Sequence, residues 1–250
     1  MNFANKLYIV TGAAVDSDIG LAICQSLDEK GARLILVGRR AEALETTLSL
    51  LKNKHHKISV FDLSQLDSIA AWAKLLVDDY GAIDGLVHSA SFQGYSPLRG
   101  ITAKQISQYF DVNFSAAVML VSAFSKAKHF NPNASFVMIG SAAGLRGLKA
   151  RTLYAASKAA LSSMVQSAAL ELANKSIRVN CVAPAVVDGA KAKIQFKTLG
   201  EAQTKLLISS HPLGLSTPKD VANSVCFLLS TLSAKTTGVT LPVDGGFLAG

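Results

Sequence analysis

The stretch LYIVTGAAVDSDIGLAICQSL, residues 7–27, contains two glycines between a strand-like run and a helical pattern, as many strand–turn–helix units do. It starts with the apolar run Leu7–Thr11, continues through small residues to Gly20, and enters an apolar helical pattern at Leu21. A strand, a small-residue turn and a helix in this order let backbone N–H groups and the positive end of the helix approach a phosphate. Asp16 and Asp18 oppose this interpretation because a carboxylate repels a phosphate. We expect these side chains to point outward or, for Asp18, to cap the helix.

Strands and helices alternate along the rest of the chain. The longer helical stretches carry apolar residues at i, i+3, i+4 and i+7, and several strands are apolar without alternation. We predict strands at Leu7–Thr11, Arg33–Val37, Lys57–Phe61, Gly85–His88, Ser135–Gly140, Ile177–Val182 and Val239–Val243. We predict helices at about residues 20–30, 40–53, 65–80, 102–128, 154–174 and 218–232. The pattern predicts an α/β fold, namely a single-domain Rossmann-type doubly wound parallel sheet of about seven strands with helices on both faces, over residues 1–250.

Composition excludes several classes of protein. Hydrophobic residues make up 50% of the chain and charged residues 17%, which argues against disorder. No apolar run approaches the roughly 20 residues that span a bilayer, and the first residues contain no signal-peptide core. Three widely separated cysteines fit neither a disulfide framework nor a zinc site, and no other cluster has metal-ligand spacing. We therefore expect a cytoplasmic protein without a metal site.

The positive charge of the chain is local. Residues 146–205 contain ten Lys and Arg against three Asp and Glu, which accounts for nearly all of the net charge of +8. Such a segment is either a solvated basic face or a positive field that attracts an anionic cofactor or substrate. Nucleic acid is not an expected partner, because no basic stretch interleaves with aromatic residues and no nucleic-acid-binding motif occurs.

The run Tyr154-Ala155-Ala156-Ser157-Lys158 carries the clearest chemical signal. Residues four apart share one face of a helix, so the phenol of Tyr154 and the ammonium of Lys158 point into the same space. Ser141 ends an apolar strand-like run thirteen residues before Tyr154. A phenol beside a cation is a suitable proton donor to a carbonyl oxygen, and a serine hydroxyl can hold that oxygen. These three residues therefore predict an oxidoreductase.

The end of the second predicted strand indicates which nucleotide binds. Gly38-Arg39-Arg40 follows Val37, and no acidic residue stands there. An acidic residue at this position binds a free ribose 2′-hydroxyl, whereas arginine favours a 2′-phosphate. NADP(H) is therefore favoured, with NAD(H) as the alternative. In a third interpretation the two arginines only begin a surface helix.

Together these elements resemble the short-chain dehydrogenase/reductase family over nearly the whole chain. The matching positions are the Thr11–Gly20 turn, Asp62-Leu63, Asn113, Ser141, Tyr154, Lys158, Pro184 and the tail Pro242–Phe247. The resemblance implies a catalytic tetrad of Asn113, Ser141, Tyr154 and Lys158. It also implies cofactor contacts at Gly12, Ser17, Asp18, Ile19, Arg39, Asp62, Leu63, Ser89, Ala90, Tyr154, Lys158, Pro184 and Val187.

The resemblance also assigns a role to each member of the tetrad. Tyr154 is implied to be the general acid in reduction and the base in oxidation, with Ser141 orienting the substrate oxygen. Lys158 is implied to bind the nicotinamide ribose, and Asn113 to hold a water in a proton relay. A free tyrosine has a pKa near 10, and we expect the Lys158 ammonium and the oxidised nicotinamide to lower the pKa of Tyr154.

The departures from the family pattern are specific. The Thr11–Gly20 turn is two residues longer than the usual form and lacks its middle glycine, and His88-Ser89-Ala90-Ser91 replaces Asn-Asn-Ala-Gly. Both features resemble the divergent enoyl-reductase branch, but three residues separate Tyr154 from Lys158 where that branch has six. Ala185 replaces a glycine and Gly189 a threonine near the expected nicotinamide. His88 ends a buried strand, so we expect a hydrogen-bonded structural histidine there.

Residues 188–212 are the expected substrate lid. They contain the lysines and apolar residues Lys191, Lys193, Ile194, Phe196, Lys197, Leu199, Lys205, Leu206 and Leu207. An apolar inner side and a basic outer side suit an acyl chain on acyl carrier protein or coenzyme A, and Lys126 and Lys128 would extend the basic surface. The expected reaction is NADPH-dependent reduction of a carbonyl, with a 3-oxoacyl thioester as the leading substrate. The alternatives are a sugar or polyol-type ketone, an enoyl thioester, and a non-catalytic dinucleotide-binding sensor.

The resemblance implies a homodimer or homotetramer. Members of the family commonly associate through the helix that bears the tyrosine and lysine and through the helix before it. The small-residue runs Ser115-Ala116-Ala117 and Ser167-Ala168-Ala169 lie on these two helices. Small side chains permit close packing of helices, so we expect these runs at a subunit interface.

Overall fold

Seven parallel strands form one sheet in the order β3-β2-β1-β4-β5-β6-β7 in the computed structural model, which describes all 250 residues. The strands are β1 Leu7–Thr11, β2 Arg33–Gly38, β3 Lys57–Val60, β4 Ile83–His88, β5 Phe130–Ile139, β6 Arg178–Pro184 and β7 Thr240–Val243. The helices are α1 Asp18–Asp28, α2 Ala41–Ser49, α3 Ile69–Tyr80, α4 Ala103–Phe110, α5 Ala116–Phe124, α6 Thr152–Leu172, α7 Ala190–Leu199, α8 Glu201–Ser209 and α9 Pro218–Leu229. None of these helices combines the length and the apolar character needed to cross a bilayer.

Alternate residues of β1 face opposite layers of helices. Leu7 and Ile9 belong to a core with α3, α5 and α6, whereas Tyr8 and Val10 belong to a core with α1 and α9. All four side chains are buried. Helices on both faces therefore explain why this strand is apolar without alternation.

The order of the strands reverses at β1. This strand pairs with β2 on one side and with β4 on the other. Ligands of open α/β sheets bind in the crevice that such a reversal creates beyond the carboxyl ends of the strands. Thr11 and His88 are register partners at that end, so the segments that follow them face each other across the crevice.

The fold-class prediction is confirmed, and all seven predicted strands are present. The helix predicted over residues 102–128 is interrupted by a π-helical segment, Asp111–Ser115. Such segments occur frequently at functional sites, and this one contains the fully buried Asn113. β5 begins at Phe130, five residues before the predicted start. The lid contains two helices, α7 and α8, which were not predicted because Gly200, with φ +78°, divides the segment into two short helices.

Two expectations about the surface are wrong. Lys126 and Lys128 directly precede β5 and lie at the amino edge of the parallel sheet, on the side opposite the crevice. They therefore do not extend a basic surface around the lid. Ala116 and Ala117 are fully buried in the core of the chain itself and are not available to a second subunit.

A buried hydrogen-bond network ties α1 to the segment before β3. Asp28 is 3% exposed and accepts hydrogen bonds from the Lys52 N–H at 2.7 Å, the Asn53 N–H at 3.1 Å and His56 Nε2 at 2.9 Å. His56 Nδ1 accepts from the Leu34 N–H, which leaves Nε2 as the ring nitrogen that donates to Asp28. Burial acts to raise the pKa of Asp28, but the hydrogen bonds from Lys52, His56 and Asn53 outweigh it and hold the pKa below its ordinary value.

We expect Asp28→Asn to lower the free energy of unfolding by about 2–4 kcal/mol at neutral pH, because an amide nitrogen then faces donors. Asp28 stabilises the fold above the unfolded-state pKa, near 3.9, and this contribution disappears as the pH falls through the lower folded-state pKa. The difference between wild type and variant should therefore shrink below about pH 4. Urea unfolding at several pH values measures this. Asp78→Asn, which removes the exposed partner of Lys74, is the control and should cost less than about 1 kcal/mol.

Candidate active site

A cavity of about 780 Å³ opens at the carboxyl edge of the sheet, where β1 and β4 meet. This volume lies in the range of small-molecule and cofactor sites. Ser141 lines the cavity, whereas Asn113 lies behind its wall. All thirteen residues expected to contact a dinucleotide line it, namely Gly12, Ser17, Asp18, Ile19, Arg39, Asp62, Leu63, Ser89, Ala90, Tyr154, Lys158, Pro184 and Val187.

The turn after β1 fits the pyrophosphate of a dinucleotide. Gly12 has φ +65°, and a Cβ there would lie 2.6 Å from the backbone nitrogen of Ala90, so the position requires glycine. Ser17 is the N-cap of α1 but its side chain makes no capping hydrogen bond. The amides of the first helical turn therefore have no side-chain partner, and such amides bind phosphate oxygens.

The two carboxylates of this turn are engaged by neighbouring groups. Asp16 forms an exposed ion pair with Arg40, with N–O distances of 2.6 and 2.7 Å. The prediction that Asp18 caps α1 is wrong, because Ser17 is the N-cap and Asp18 is the first helical residue. Asp18 Oδ2 accepts a hydrogen bond from the Lys191 N–H at 3.4 Å, which links the turn to the start of α7.

The two arginines after β2 have different surroundings. Arg40 is occupied by Asp16, whereas Arg39 lines the cavity and forms no ion pair in the structure. Asp62 also lines the cavity and accepts hydrogen bonds from the N–H and hydroxyl of Ser64. The Ser64 N–H is the main cause that lowers the pKa of Asp62, and the charge of Arg39 adds to it. Arg39 is therefore the arginine available to a bound nucleotide.

Ser141, Tyr154 and Lys158 converge on the cavity from two elements. Ser141 follows β5, and its Oγ accepts from the Ala143 N–H at 3.1 Å. Lys158 and Tyr154 lie one turn apart on α6, and Lys158 Nζ is 5.8 Å from the centroid of the Tyr154 ring. Lys158 is 1% exposed and donates to the carbonyl oxygen of Ile139 at 2.7 Å. The four-residue spacing thus places Tyr154 and Lys158 on one face of α6, and the fold brings Ser141 to the same cavity.

Burial dominates the pKa values of this group. It raises the pKa of Tyr154, against hydrogen bonding by Ser141 and the charge of Arg151, which act to lower it. Burial also lowers the pKa of Lys158 to about 8. The expected lowering of the tyrosine pKa is therefore absent in the protein alone. Lys158 directs its ammonium to the Ile139 carbonyl and is not among the main causes of the shift.

The side-chain amide of Asn113 is saturated by protein groups. Its Nδ2 donates to Ser157 Oγ and to the Phe92 carbonyl oxygen, both at 3.0 Å. Its Oδ1 accepts from the Phe92 N–H at 2.6 Å and from Ser91 Oγ at 3.2 Å. An amide has two donors and two acceptor positions, so this side chain has none left for the expected relay water. Its observed role is to hold the Ser91–Phe92 segment against α6.

His88 is a buried, hydrogen-bonded residue. Its Nε2 donates to the Val112 carbonyl oxygen at 3.1 Å, and its Nδ1 accepts from Thr11 Oγ1 at 3.0 Å. Burial and the charge of Lys158 lower the pKa of His88 to about 3. The imidazole is neutral at physiological pH and both nitrogens are occupied, as the sequence interpretation expected. No group of three or more His, Cys, Asp or Glu side chains is placed to hold a metal ion.

The sequence interpretation missed the residues that form the far end of the cavity. Phe92, Tyr95, Leu148, Arg151 and Phe247 line it beyond Tyr154. The charge excess of residues 146–205 was the available signal for Arg151, but a count of charges does not tell which of ten cations enters a cavity. The aromatic residues lie in loops, where no periodic pattern marks them.

The side of the lid that faces the cavity carries both apolar and basic residues. Leu199 and Leu207 line the cavity and are partly buried, as an apolar inner side requires, whereas Leu206 lines it but is 71% exposed. Lys191 also lines it, whereas Ile194 is 67% exposed. The separation into an apolar inside and a basic outside is therefore wrong for these two residues. Lys205 pairs with Glu201 one turn away, which removes one of the four lid lysines from the free charges.

Comparison with known proteins identifies the family. A family model described as enoyl-(acyl carrier protein) reductase matches residues 12–248. Galactitol 2-dehydrogenase of Agrobacterium fabrum is 33% identical, with 98% of both chains covered. A 3-oxoacyl-(acyl-carrier-protein) reductase of Chlamydia muridarum is 32% identical, with 97% of both covered. The chain belongs to the short-chain dehydrogenase/reductase family. It is an NAD(P)-dependent oxidoreductase.

Solved structures of this family superpose on the whole chain. A short-chain dehydrogenase/reductase from Mycobacterium ulcerans matches with a TM-score of 0.90 at 25% identity, covering 100% of this chain and 92% of that one. An NAD⁺-bound xylitol dehydrogenase matches with a TM-score of 0.88 at 27% identity, covering 98% and 100%. An NADPH-bound oxidoreductase from Pseudomonas aeruginosa matches equally well, covering 98% and 97%. Dehydrogenase/reductases of this shape thus bind either nucleotide.

Two departures from the family pattern, the lengthened turn that carries Asp18 and the glycine at position 189, meet in space. A Cβ at Gly189 would lie 2.5 Å from Asp18 Oδ2, so the carboxylate occupies the space of a larger side chain at position 189. We expect Gly189→Thr to push Asp18 towards the pyrophosphate position and to weaken NADPH binding by about threefold to tenfold. Asp18→Ala should restore the affinity of the Gly189→Thr variant, since neighbouring substitutions are not additive. Fluorescence titration with NADPH measures both variants.

The control for this coupling is Gly100→Thr, because a Cβ at Gly100 meets no atom within 4 Å. This variant should bind NADPH like the wild type. Additive losses in the Asp18→Ala, Gly189→Thr double variant would contradict the coupling.

Proposed function

We propose that this enzyme reduces a carbonyl group to an alcohol with NADPH, using Tyr154, Ser141, Lys158 and Asn113. The observation that carries the proposal is the convergence of the Ser141 hydroxyl, the Tyr154 phenol and the Lys158 ammonium on a cavity whose other end fits a dinucleotide. A hydroxyl and a phenol at one wall can both contact the oxygen of a bound carbonyl group. A nucleotide in the same cavity brings the reductant to that group.

Each protein group has one task in this reaction. When bound, the nicotinamide cofactor supplies the hydride. Ser141 donates a hydrogen bond that orients the carbonyl oxygen, and Tyr154 gives that oxygen its proton as the alcohol forms. Lys158, with a pKa of about 8, is mainly protonated at pH 7, and its charge stabilises the tyrosinate left behind. Asn113 keeps the Ser91–Phe92 wall and α6 in register.

Arg39 supports a preference for NADPH over NADH. It lines the cavity beyond the end of β2 and has no acidic partner in an ion pair. Arginine forms bidentate, charge-assisted hydrogen bonds with phosphate. Asp62 lies close enough for the charge of Arg39 to lower its pKa, and we assign Asp62 and Leu63 to the adenine end of the site.

Two substrate classes have support. A 3-oxoacyl thioester is favoured by the apolar lining of Phe92, Leu148 and Leu207 and by the similarity to a 3-oxoacyl reductase. A sugar or polyol-type ketone is favoured by the amides of Gln93, Gln195 and Gln203, which line the same cavity and can bind hydroxyl groups. Similarity to galactitol 2-dehydrogenase supports this second class.

The cysteines bear on the compartment of the enzyme. Cys24, Cys181 and Cys226 are buried and unpaired, which supports a reducing compartment such as the cytoplasm.

We also propose a homodimer or homotetramer. Leu170 on α6 is 83% exposed, and burial of such a side chain at an interface would favour association.

Tyr154→Phe tests the proton-transfer step. It should reduce NADPH-dependent turnover of ketones by at least about a hundredfold, because the ring then has no proton to give. NADPH affinity should change less than about threefold. A screen of NADPH oxidation with 3-oxoacyl thioesters, sugar ketones and enoyl thioesters, with wild type and variant in parallel, measures this. Cofactor binding without turnover of any ketone would instead favour a dinucleotide-binding sensor.

Arg39→Ala tests the cofactor preference. It should weaken NADPH binding by about tenfold or more while leaving NADH binding nearly unchanged, because only NADPH carries the 2′-phosphate. Titration of both nucleotides measures the ratio. Arg40→Ala is the matched control, since Asp16 already occupies that guanidinium, and should change the ratio little. Equal losses of both nucleotides in Arg39→Ala would refute the assignment.

A further inference from the structure

Arg151 holds a guanidinium at the cavity wall beside Tyr154. Its Cζ lies 4.1 Å from the centroid of the Tyr95 ring and 5.9 Å from that of Tyr154. The cation is also close enough to act on the pKa of the Tyr154 phenol. An anion bound by Arg151 would therefore belong to the same small molecule as a carbonyl group at Tyr154.

The protein accepts a hydrogen bond from only one of the N–H groups of this guanidinium. One N–H group donates to the Gly94 carbonyl oxygen at 3.0 Å, out of five donors that an arginine carries. Arg151 forms no ion pair, unlike Arg40 in the same cavity. The cation–π contact with Tyr95 and the hydrogen bond to Gly94 hold the guanidinium at the cavity wall, and its remaining donors have no hydrogen-bond partner in the protein.

Charge is unevenly distributed along the cavity. The three acidic lining residues, Asp16, Asp18 and Asp62, come from the segments that fit the nucleotide. Each is already bonded, to Arg40, to the Lys191 N–H and to Ser64 respectively. The opposite end carries two cations and no acid among its lining residues Phe92, Gln93, Tyr95, Leu148, Lys149 and Arg151.

We propose that the substrate carries an anionic oxygen group, a carboxylate or a phosphate, within a few bonds of its carbonyl group, and that Arg151 binds this anion. The inference rests on the proposed carbonyl reduction and narrows its substrate to oxo acids and phosphorylated ketones. The phosphates of coenzyme A or a carrier protein lie many bonds from a thioester carbonyl and do not meet this requirement. A polyol-type ketone with an acidic or phosphate group does.

A purely structural role for Arg151 makes a different prediction. The Ser96 N–H donates to the Ala150 carbonyl oxygen at 2.7 Å, so the Gly94–Ser96 loop is also tied to the Ala150–Arg151 segment by a backbone hydrogen bond. If Arg151 only supports this loop, its loss disturbs charged and uncharged substrates alike. If Arg151 binds an anion, its substitution lowers the affinity for the charged substrate only. The ratio of the two affinities therefore separates the roles.

The experiment measures ligand binding to the NADPH-loaded enzyme in the Tyr154→Phe background, where turnover is blocked. The probes are two matched pairs, levulinate with levulinamide and dihydroxyacetone phosphate with dihydroxyacetone. The pairs distinguish a carboxylate from a phosphate. Arg151→Gln removes the cation, and Lys193→Gln is the control, because Lys193 is exposed and does not line the cavity.

We expect at least one anionic probe to bind more tightly than its uncharged partner, and Arg151→Gln to weaken that probe by about tenfold or more. The uncharged partner should change less than about twofold, and Lys193→Gln should affect neither. Equal losses for both members of a pair, or no preference for an anion before substitution, would overturn the inference.

The failure of carbonyl reduction itself would be seen separately. Wild-type enzyme that oxidises no NADPH with any ketone contradicts the proposed reaction. The binding ratios, which need no turnover, still decide whether Arg151 recognises an anion.

Discussion

One buried amide holds the walls of the candidate active site together. The four hydrogen bonds of Asn113 join the π-helical segment to the Ser91–Phe92 loop after β4 and, through Ser157, to α6. Ser157 Oγ in turn donates to the Tyr154 carbonyl oxygen. An unpaired polar group inside a protein costs about 1–3 kcal/mol, so each of these segments is held where it satisfies the amide. The positions of Tyr154 and of the loop opposite it both depend on this side chain.

The second constraint is the removal of water around ionisable groups. Burial raises the pKa of Tyr154 and lowers those of Lys158 and His88, so each group tends towards its neutral form. A positive charge bound nearby would favour the ionised phenolate of Tyr154 and so lower its pKa. A cationic nicotinamide would oppose the effect of burial on the phenol. In the proposed reaction, cofactor binding would therefore help Tyr154 to release its proton.

The sequence predicts those features that depend on spacing along the chain. Uninterrupted apolar runs indicate a parallel sheet, and the four-residue interval from Tyr154 to Lys158 places both on one face of α6. Features that depend on which segments meet in space could not be predicted. Asp18 and Gly189 are 171 residues apart in the sequence but are in contact in the fold. The sequence alone gives no sign that the two positions are related. Arg151 is one of ten cations in its segment, and only the fold shows that it faces the cavity.

The burial of all three cysteines has a practical consequence for following the lid. Thiol reagents react where solvent reaches a thiolate, and Cys24, Cys181 and Cys226 are buried. The folded chain therefore offers a background almost free of labelling without any substitution of its own residues. A single cysteine introduced on the exposed side of α7 or α8 would carry a fluorophore at a known point. Its emission would report whether these two helices change their surroundings when a nucleotide binds.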